Sequence, residues 1–313
     1  MLQFLFRRLL VAIPTMFIVV TLAFFMMRAA PGSPFVNERR LSPEVERNVM
    51  AKYGMDKPLV VQYATYVGGV LRGDLGPSLK YKDKSVLKII SEGFPHSLFI
   101  GGMAMTLAAL VGVTLGVVGA LRQNRPADYT AMGVAVLGVC IPTFVTAPLL
   151  VLLFASTLGI LPTAGWPAAT QPLSSAWRYF VMPVVVLSLP QIAIISRLTR
   201  AGMIEVLRSN YVRTARAKGL PEHSVVLRHA LRGAILPLVS YLGPATAGVI
   251  TGSLVVEQIF QLPGIGRAFV SSALQRDYTV VMGVVILYAG LILFLNLVAD
   301  ILYAALDPRV RLS

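Results

Sequence analysis

The chain has 313 residues, of which 56% are hydrophobic and only 13% are charged, and its net charge is +14. About a quarter of the residues are charged in an ordinary globular domain, so this composition excludes a typical soluble protein and predicts one embedded in lipid. The charge does not indicate nucleic-acid binding, because the charged residues lie between apolar runs too long for a soluble core and no nucleic-acid motif accompanies them. The single cysteine, Cys140, excludes an internal disulfide and a CxxC site. No cofactor or metal ion is expected.

Six apolar stretches approach the length of about 20 residues that a helix needs to cross a bilayer. The third belongs to a longer charge-free run, which glycines and prolines after residue 158 divide into a span and a loop. The fourth contains Pro183 and Pro190 and is expected to be kinked. The predicted fold is therefore all-α and integral to the membrane, with spans at Leu9–Met27, Ser97–Leu121, Ala131–Leu158, Tyr179–Ser196, Gly233–Val256 and Tyr278–Ala299.

The orientation in the membrane is predicted from basic residues. Arg7 and Arg8 precede the first apolar stretch, as in a signal peptide, but its length and the lack of an A-x-A cleavage site favour an uncleaved anchor. Basic residues in short loops mark the cytoplasmic side, and the segment Arg197–Arg232 carries eight of them. This segment and both chain termini are therefore predicted to be cytoplasmic.

The first long connection is predicted to be a folded extracytoplasmic loop. Capping residues indicate one helix from Ser42 to Gly54, and a second amphipathic helix over Val60–Leu71 is expected to end at Gly73. This loop is not expected to be an independent domain. The chain then divides into an N-terminal tail with the first span, residues 1–27, the extracytoplasmic loop, residues 28–96, and a core membrane domain, residues 97–313.

Two spans carry pairs of glycines four residues apart, Gly112 with Gly116 and Gly248 with Gly252. Such pairs let helix backbones approach closely inside a membrane. They are compatible both with packing inside this chain and with an interface to a partner subunit.

The basic segment Arg197–Arg232 is predicted to form two helices that meet in an exposed elbow. The first is expected to run from Arg200 to Lys218, with Gly219 after its end. The second is expected to start at Pro221, with Glu222 in its first turn, where the helix dipole favours an acid. Four residues near the elbow are small and would allow another surface to approach the backbone: Thr214, Ala215, Ala217 and Gly219. That surface could belong either to anionic lipid or to another protein.

The sequence of this elbow has a family resemblance. The run 211–220 reads Tyr-Val-Arg-Thr-Ala-Arg-Ala-Lys-Gly-Leu and is followed by Arg228-His229-Ala230-Leu231 and Leu236-Pro237. It resembles the EAA loop of ABC importer permeases, in the form used by the oligopeptide and dipeptide branch. The general family has Glu-Ala-Ala where this chain has Arg213, Thr214 and Ala215, a departure that weakens the transfer of the glutamate's role to Arg213.

Further motifs in the same order resemble the same branch over nearly the whole chain. The resemblance rests on Ala30–Pro34 after the first span, Gly73–Ser78 and Lys80–Asp83 in the outer loop, Glu257, Phe260, Leu262–Gly266 and Arg276–Tyr278 around the fifth outer turn, and Leu306–Arg309 at the end.

The resemblance implies a type I importer permease fold in the bacterial inner membrane and a pore subunit that is not itself an enzyme. It implies a second permease subunit, two cytoplasmic ATPase subunits, an extracytoplasmic peptide-binding protein and a peptide substrate. This chain has no G-x-x-x-x-G-K-[ST] phosphate loop, which agrees with ATP being bound elsewhere. The residues implied to couple to the ATPase are Arg213, Thr214, Ala215, Arg216, Ala217, Lys218, Gly219, Leu220, Pro221 and Glu222. Those implied to contact the binding protein are Gly73, Asp74, Pro263, Gly264 and Gly266.

Other functions fit the sequence less well. Within the same family, dipeptides or small cargo such as nickel complexes are the alternative substrates. A proton-coupled transporter normally has ionisable residues at mid-membrane, whereas Glu257 and Asp300 lie at the ends of spans. No selectivity-filter motif indicates a channel, and no H-E-x-x-H or G-x-S-x-G motif indicates an intramembrane enzyme. A membrane scaffold is the remaining alternative.

Overall fold

The computed structural model describes residues 2–29, 54, 56–81 and 84–306, and within them the regular secondary structure is helical. The helices are α1 Leu2–Ala29, α2 Leu59–Leu71, α3 Val86–Leu121, α4 Pro126–Cys140, α5 Thr143–Leu150, α6 Leu173–Ala176, α7 Arg178–Leu207, α8 Asn210–Ala217, α9 Glu222–Ser224, α10 Leu231–Ala234, α11 Leu236–Gly252, α12 Leu254–Ile259, α13 Ile265–Leu274 and α14 Tyr278–Leu306. A π-helical turn, Val151–Thr157, continues α5, and a second, Val225–Ala230, joins α9 to α10.

Five helical segments in the described residues are long and apolar enough to cross a membrane. They are the predicted spans one, two, four, five and six, which are confirmed as α1, α3, α7, the consecutive pair α11 and α12, and α14. The stretch predicted as the third span is not one helix, because α4 and α5 are bent by 100° at Ile141 and Pro142. Proline lacks an N–H and forces the preceding residue out of the helical region, and Ile141 is extended at φ −101° and ψ 118°. Counted as one broken span, this pair brings the number to six.

Helix α7 is longer than its predicted span. It continues through Pro183 and Pro190 without an interruption. Half of the residues in its most apolar stretch are buried. It also extends eleven residues past the predicted end at Ser196, to Leu207. The predicted helix from Arg200 to Lys218 is therefore wrong: its first part belongs to α7, and the chain becomes extended at Ser209, φ −70° and ψ 155°, before α8 begins.

The helices group into two compact units, one formed by residues 1–96 and 263–291 and the other by residues 97–262 and 292–313. The core of the first unit contains side chains from the connection between α2 and α3, from the start of α3 and from α13 and α14: Leu75, Val86, Ile89, Ile90, Ile265, Val280 and Val284. Residues 263–291 therefore pack with the N-terminal part of the chain, an association that their sequence does not indicate.

The second unit contains a close approach of α3 and α7. A Cβ atom added at Gly112 would lie 2.8 Å from the Cβ of Ile195, and one added at Gly116 would lie 2.6 Å from the Cβ of Thr199. The first glycine pair therefore packs within this chain. The second pair differs, because an added Cβ at Gly248 or Gly252 meets no described atom within 4 Å.

Other predicted elements have mixed outcomes. The helix predicted over Val60–Leu71 is confirmed as α2, and Gly73 follows it at φ +78°. The helix predicted from Ser42 lies outside the described residues, except that its expected end, Gly54, has φ +63°. Three of the quoted motif segments also lie wholly or partly outside the described residues: Ala30–Pro34, Lys80–Asp83 and Leu306–Arg309.

Candidate functional site

The candidate site is the elbow, which we define as residues 209–224. It begins where α7 ends, and the hydroxyl of Ser209 donates a hydrogen bond of 2.6 Å to the carbonyl of Val206. Helix α8 is amphipathic: Val212 and Ala215 are buried, whereas its other side chains are exposed. Such a helix is held by one apolar face and presents the opposite face to solvent.

The bend of the elbow is a Schellman motif at the end of α8. Gly219 has φ +76°. This conformation is unfavourable for a residue with a Cβ atom but costs glycine little free energy. The N–H of Gly219 donates to the carbonyl of Arg216 at 2.9 Å, and the N–H of Leu220 donates to the carbonyl of Ala215 at 3.4 Å. The expected break at Gly219 is confirmed. The next helix, α9, begins at Glu222, one residue after the predicted start at Pro221.

An ion pair joins the two sides of the bend. The Nη2 and Nε atoms of Arg216 donate to the two carboxylate oxygens of Glu222, at 2.6 and 3.2 Å. The hydrogen bonds from Arg216 lower the pKa of Glu222 below its usual value. Both side chains are about half exposed, so solvent screens the pair, and it fixes the geometry of the bend more than it stabilises the fold.

The inner face of the elbow is anchored to its own unit. Val212 and Ala215 pack with a buried cluster that includes Met203 of α7, Ala120 of α3 and the segment after α9. Backbone approach is close here, because a Cβ atom added at Gly202 would lie 2.5 Å from the carbonyl oxygen of Ala234. The expectation that Ala215 belongs to an exposed surface is therefore wrong, since it is only 6% exposed.

The outer face presents the rest of the predicted coupling residues. An added Cβ at Gly219 would meet no described atom within 4 Å, so the space over the bend is open. This surface is basic, because one acid accompanies three cationic residues. The exposed predicted residues are Arg213, Thr214, Arg216, Ala217, Lys218, Gly219, Leu220, Pro221 and Glu222.

The second predicted contact region, around Pro263, is built differently. Two of the residues implied to contact the binding protein are not accessible: Gly264 caps α13, and both Gly264 and Gly266 are buried. Gly93 of α3 lies against this turn, and a Cβ atom added to it would be 3.0 Å from the backbone nitrogen of Ile265. These glycines serve close packing, whereas Pro263 is exposed. Gly73 and Asp74, the other predicted contact residues, are also exposed.

The structure joins two motifs that are 199 residues apart in the sequence. The buried carboxylate of Asp277 accepts a hydrogen bond from the hydroxyl of Ser78 and from the N–H of Leu79 at 3.1 Å. It also accepts one from the N–H of Lys80 at 3.3 Å, and the hydroxyl of Thr279 lies 3.0 Å away. Asp277 thus fixes the connection between α2 and α3 to the start of α14. Its position just before an apolar stretch indicates a helix cap, but no sequence signal identifies Ser78 as its partner.

A cavity of about 700 Å³ lies beside this turn in the same unit. Its wall is mixed: apolar residues such as Ile89 and Ala268 line it together with charged and polar side chains, which are those of Tyr81, Glu92, His96, Arg267 and Ser271. Among the described residues, no group of three His, Cys, Asp or Glu side chains is close enough to hold a metal ion.

Several apolar helices of membrane-spanning length define a polytopic membrane protein, and a folded, exposed basic elbow is anchored at the end of one of them. The chain belongs to the family of binding-protein-dependent transport system inner membrane components, whose model matches residues 112–312. The model for the N-terminal part of such membrane components matches residues 1–100.

Curated relatives extend this finding over the full length. The chain is 52% identical over 311 residues to the oligopeptide transport system permease protein OppB of Escherichia coli (strain K12), with 99% of this chain and 100% of the relative covered. It is 41% identical over 312 residues to the dipeptide transport system permease protein DppB of Bacillus subtilis (strain 168), covering 100% of this chain and 99% of that one.

A solved structure supports the fold. The inward-facing MetNI methionine ABC transporter matches with a TM-score of 0.55 and 15% identity, over 71% of this chain and 97% of that chain. At this identity the match establishes the fold alone, which is that of a type I ABC importer permease, as predicted.

Proposed function

We propose that this protein is the transmembrane pore subunit of an ATP-driven importer of oligopeptides. The observation that carries this assignment is the 52% identity to an oligopeptide permease, which covers 99% of this chain. Relatives named as dipeptide permeases are less similar, at 41% and 39% identity, so oligopeptides are favoured over dipeptides. The subunit catalyses no reaction itself, and ATP is hydrolysed by partner subunits.

The experiment that tests the substrate is uptake by the complete complex in proteoliposomes. Labelled oligopeptides are supplied with unlabelled oligopeptides, dipeptides or nickel complexes as competitors. We expect ATP-dependent accumulation that only oligopeptides suppress strongly. Preferential competition by dipeptides or nickel complexes would assign one of those substrates instead, and uptake without ATP would contradict the assignment to an ABC importer.

The complete complex contains this subunit, a second and similar permease, two cytoplasmic ATPase subunits and an extracytoplasmic peptide-binding protein. In this arrangement the outer face of the elbow docks into the ATPase. The open space over Gly219 supports this role, because another protein surface can reach the backbone there. The anchored inner face supports it too, since a displacement of the elbow is transmitted to α7.

The elbow and both chain termini face the cytoplasm in this proposal. The concentration of basic residues in Arg197–Arg232 supports this orientation. Single cysteines introduced after replacement of Cys140 test it: Asn210→Cys in the elbow and Arg72→Cys in the outer loop, both at exposed positions. A membrane-impermeant maleimide added to intact cells should label only Arg72→Cys, and labelling of Asn210→Cys would reverse the orientation.

The binding protein docks on the outer loop and on the turn at Pro263. Because Gly264 and Gly266 are buried, the exposed residues Asp74, Pro263 and Arg267 make the contact. The mixed charge of the neighbouring cavity suits a polar protein surface more than lipid. Photo-crosslinkers at these three positions should capture the binding protein in at least one nucleotide state. Capture in none of the states would refute this part of the proposal.

A further inference from the structure

A partly buried ion pair near the end of α7, the helix that leads into the elbow, was not indicated by the sequence: its carboxylate is buried, whereas the side chain of Arg200 is 26% exposed. Asp128, in the first turn of α4, is only 2% exposed. Its two carboxylate oxygens accept hydrogen bonds from Nε and Nη2 of Arg200, both at 2.6 Å. The oxygen Oδ2 also accepts the backbone N–H of Asn124 at 3.0 Å. A carboxylate held by two parallel bonds and a backbone donor has one defined orientation.

The pair links α4 with α7 near the start of the elbow, and the N–H of Asn124 adds the α3–α4 turn to this connection. Arg200 lies on α7, seven residues before its end at Leu207. The turn between α3 and α4 is tied to α7 a second time, because Nη2 of Arg208 donates to Oε1 of Gln123 at 3.3 Å. The turn itself is bent tightly, with Asn124 at φ +60°. These two contacts connect the last part of α7 with the α3–α4 turn.

Close packing of backbones adds to this connection. A Cβ atom added at Gly119 would lie 3.0 Å from Oδ1 of Asp128, and one added at Gly116 would lie 2.7 Å from the carbonyl oxygen of Ser196. Glycine at these positions lets α3 lie directly against α7 and Asp128. An apolar pair of similar volume would often stabilise a fold as well as a buried ion pair, but it would not fix the direction of contact.

We propose that Asp128 and Arg200 are positioning residues that make α7, α4 and the α3–α4 turn move as one body when the ATPase displaces the elbow. The inference rests on the proposed coupling function of the elbow. With the pair intact, a shift of the elbow along α7 also shifts α4 through the pair. Without it, the exposed contact of Arg208 with Gln123 holds the turn to α7 less firmly. A shift of α7 then moves α4 less, so that ATP is hydrolysed while fewer peptide molecules are imported.

The test measures peptide imported per ATP hydrolysed by the complete complex in proteoliposomes. Asp128→Asn leaves the Arg200 charge without its carboxylate partner and is expected to lower the yield of complex. The double variant Asp128→Asn/Arg200→Gln removes both charges, so it separates coupling from stability. Arg200→Lys keeps a charge but loses the two-bond geometry. The matched control is Arg125→Gln, which removes an exposed charge from the same turn.

We expect the double variant to assemble at the wild-type yield and to show a peptide-to-ATP ratio lowered by roughly threefold or more. Arg200→Lys should be intermediate, and Arg125→Gln should match the wild type. A wild-type ratio in the double variant would overturn the inference, because a purely structural pair changes yield and not coupling. Failure of the wild-type complex to import peptide would instead refute the proposed function, so the two failures are distinguishable.

Discussion

The elbow and the turn at Pro263 both contain glycines within quoted motifs, but the two regions use these residues differently. Gly219 is exposed and has a positive φ, and an added Cβ atom there would meet no described atom within 4 Å. Gly264 and Gly266 are buried, and the facing residue Gly93 lies in contact with the backbone of Ile265. A motif that identifies a family therefore does not show whether its residues contact a partner or pack inside the chain. Burial separates the two cases.

The largest effect expected from this difference is at Asp277, in the packed region. Asp277→Asn should lower the free energy of unfolding by about 3 kcal/mol. The amide nitrogen is a donor and would face the N–H and O–H groups whose hydrogen bonds the carboxylate now accepts. We expect a lower yield of complex and a lower midpoint of thermal unfolding.

The matched control for this prediction is Asp74→Asn. Asp74 is exposed and accepts one hydrogen bond, from the N–H of Gly76 at 2.9 Å, which an asparagine oxygen can still accept. The free energy of unfolding of the Asp74→Asn variant should stay within about 0.5 kcal/mol of that of the wild type. Equal losses in the two variants would contradict the assigned role of Asp277.

The second prediction compares the two faces of α8. Ala215→Asp places a carboxylate in the buried cluster and should cost about 2 kcal/mol or more, so that the elbow detaches from its unit. Ala217→Asp lies on the exposed face and should leave the elbow folded. Limited proteolysis of the assembled complex reports this difference as cleavage within residues 209–224 in Ala215→Asp alone. Equal resistance of both variants would show that Ala215 does not anchor the elbow.

The features that could be predicted from the sequence are those that depend on residues close together in the chain. The break at Gly219 and the helix start after Pro221 follow from backbone preferences of those residues, and five spans follow from apolar length. Three other features depend on partners distant in the sequence. Asp277 meets Ser78 across 199 residues, Arg200 meets Asp128 across 72, and the burial of Ala215 depends on Met203 and on the residues after α9. No local pattern contains this information.

The smallest predicted effect concerns the ion pair between Arg216 and Glu222. Because the pKa of Glu222 is lowered in the folded elbow, the pair stabilises the bend at neutral pH. This stabilisation is present above the ordinary glutamate pKa of 4.5 and is lost as the pH falls through the lowered value. Since both side chains are exposed, the ion pair should stabilise the bend by no more than about 0.5 kcal/mol.

Hydrogen exchange measures this effect. Between pH 7 and pH 4, the protection factors of the Gly219 and Leu220 amides should fall slightly in the wild type and stay constant in Glu222→Gln. The control Arg213→Gln, which removes an exposed charge of α8, should behave like the wild type. The same pH dependence in Glu222→Gln would assign the change to another group.

The most direct test of the elbow as the coupling element uses two glycines with the same backbone requirement. Gly219 and Gly159 have φ values of +76° and +65°, and an added Cβ at either meets no described atom within 4 Å. Valine therefore introduces a similar strain at both, about 1 kcal/mol or more.

Peptide uptake and peptide-stimulated ATP hydrolysis are measured for Gly219→Val and Gly159→Val in proteoliposomes containing the whole complex. We predict that Gly219→Val uncouples hydrolysis from uptake or prevents ATPase assembly, that Arg213→Glu has a milder effect, and that Gly159→Val retains coupling. Wild-type coupling in Gly219→Val would contradict the assignment of the elbow as the coupling element.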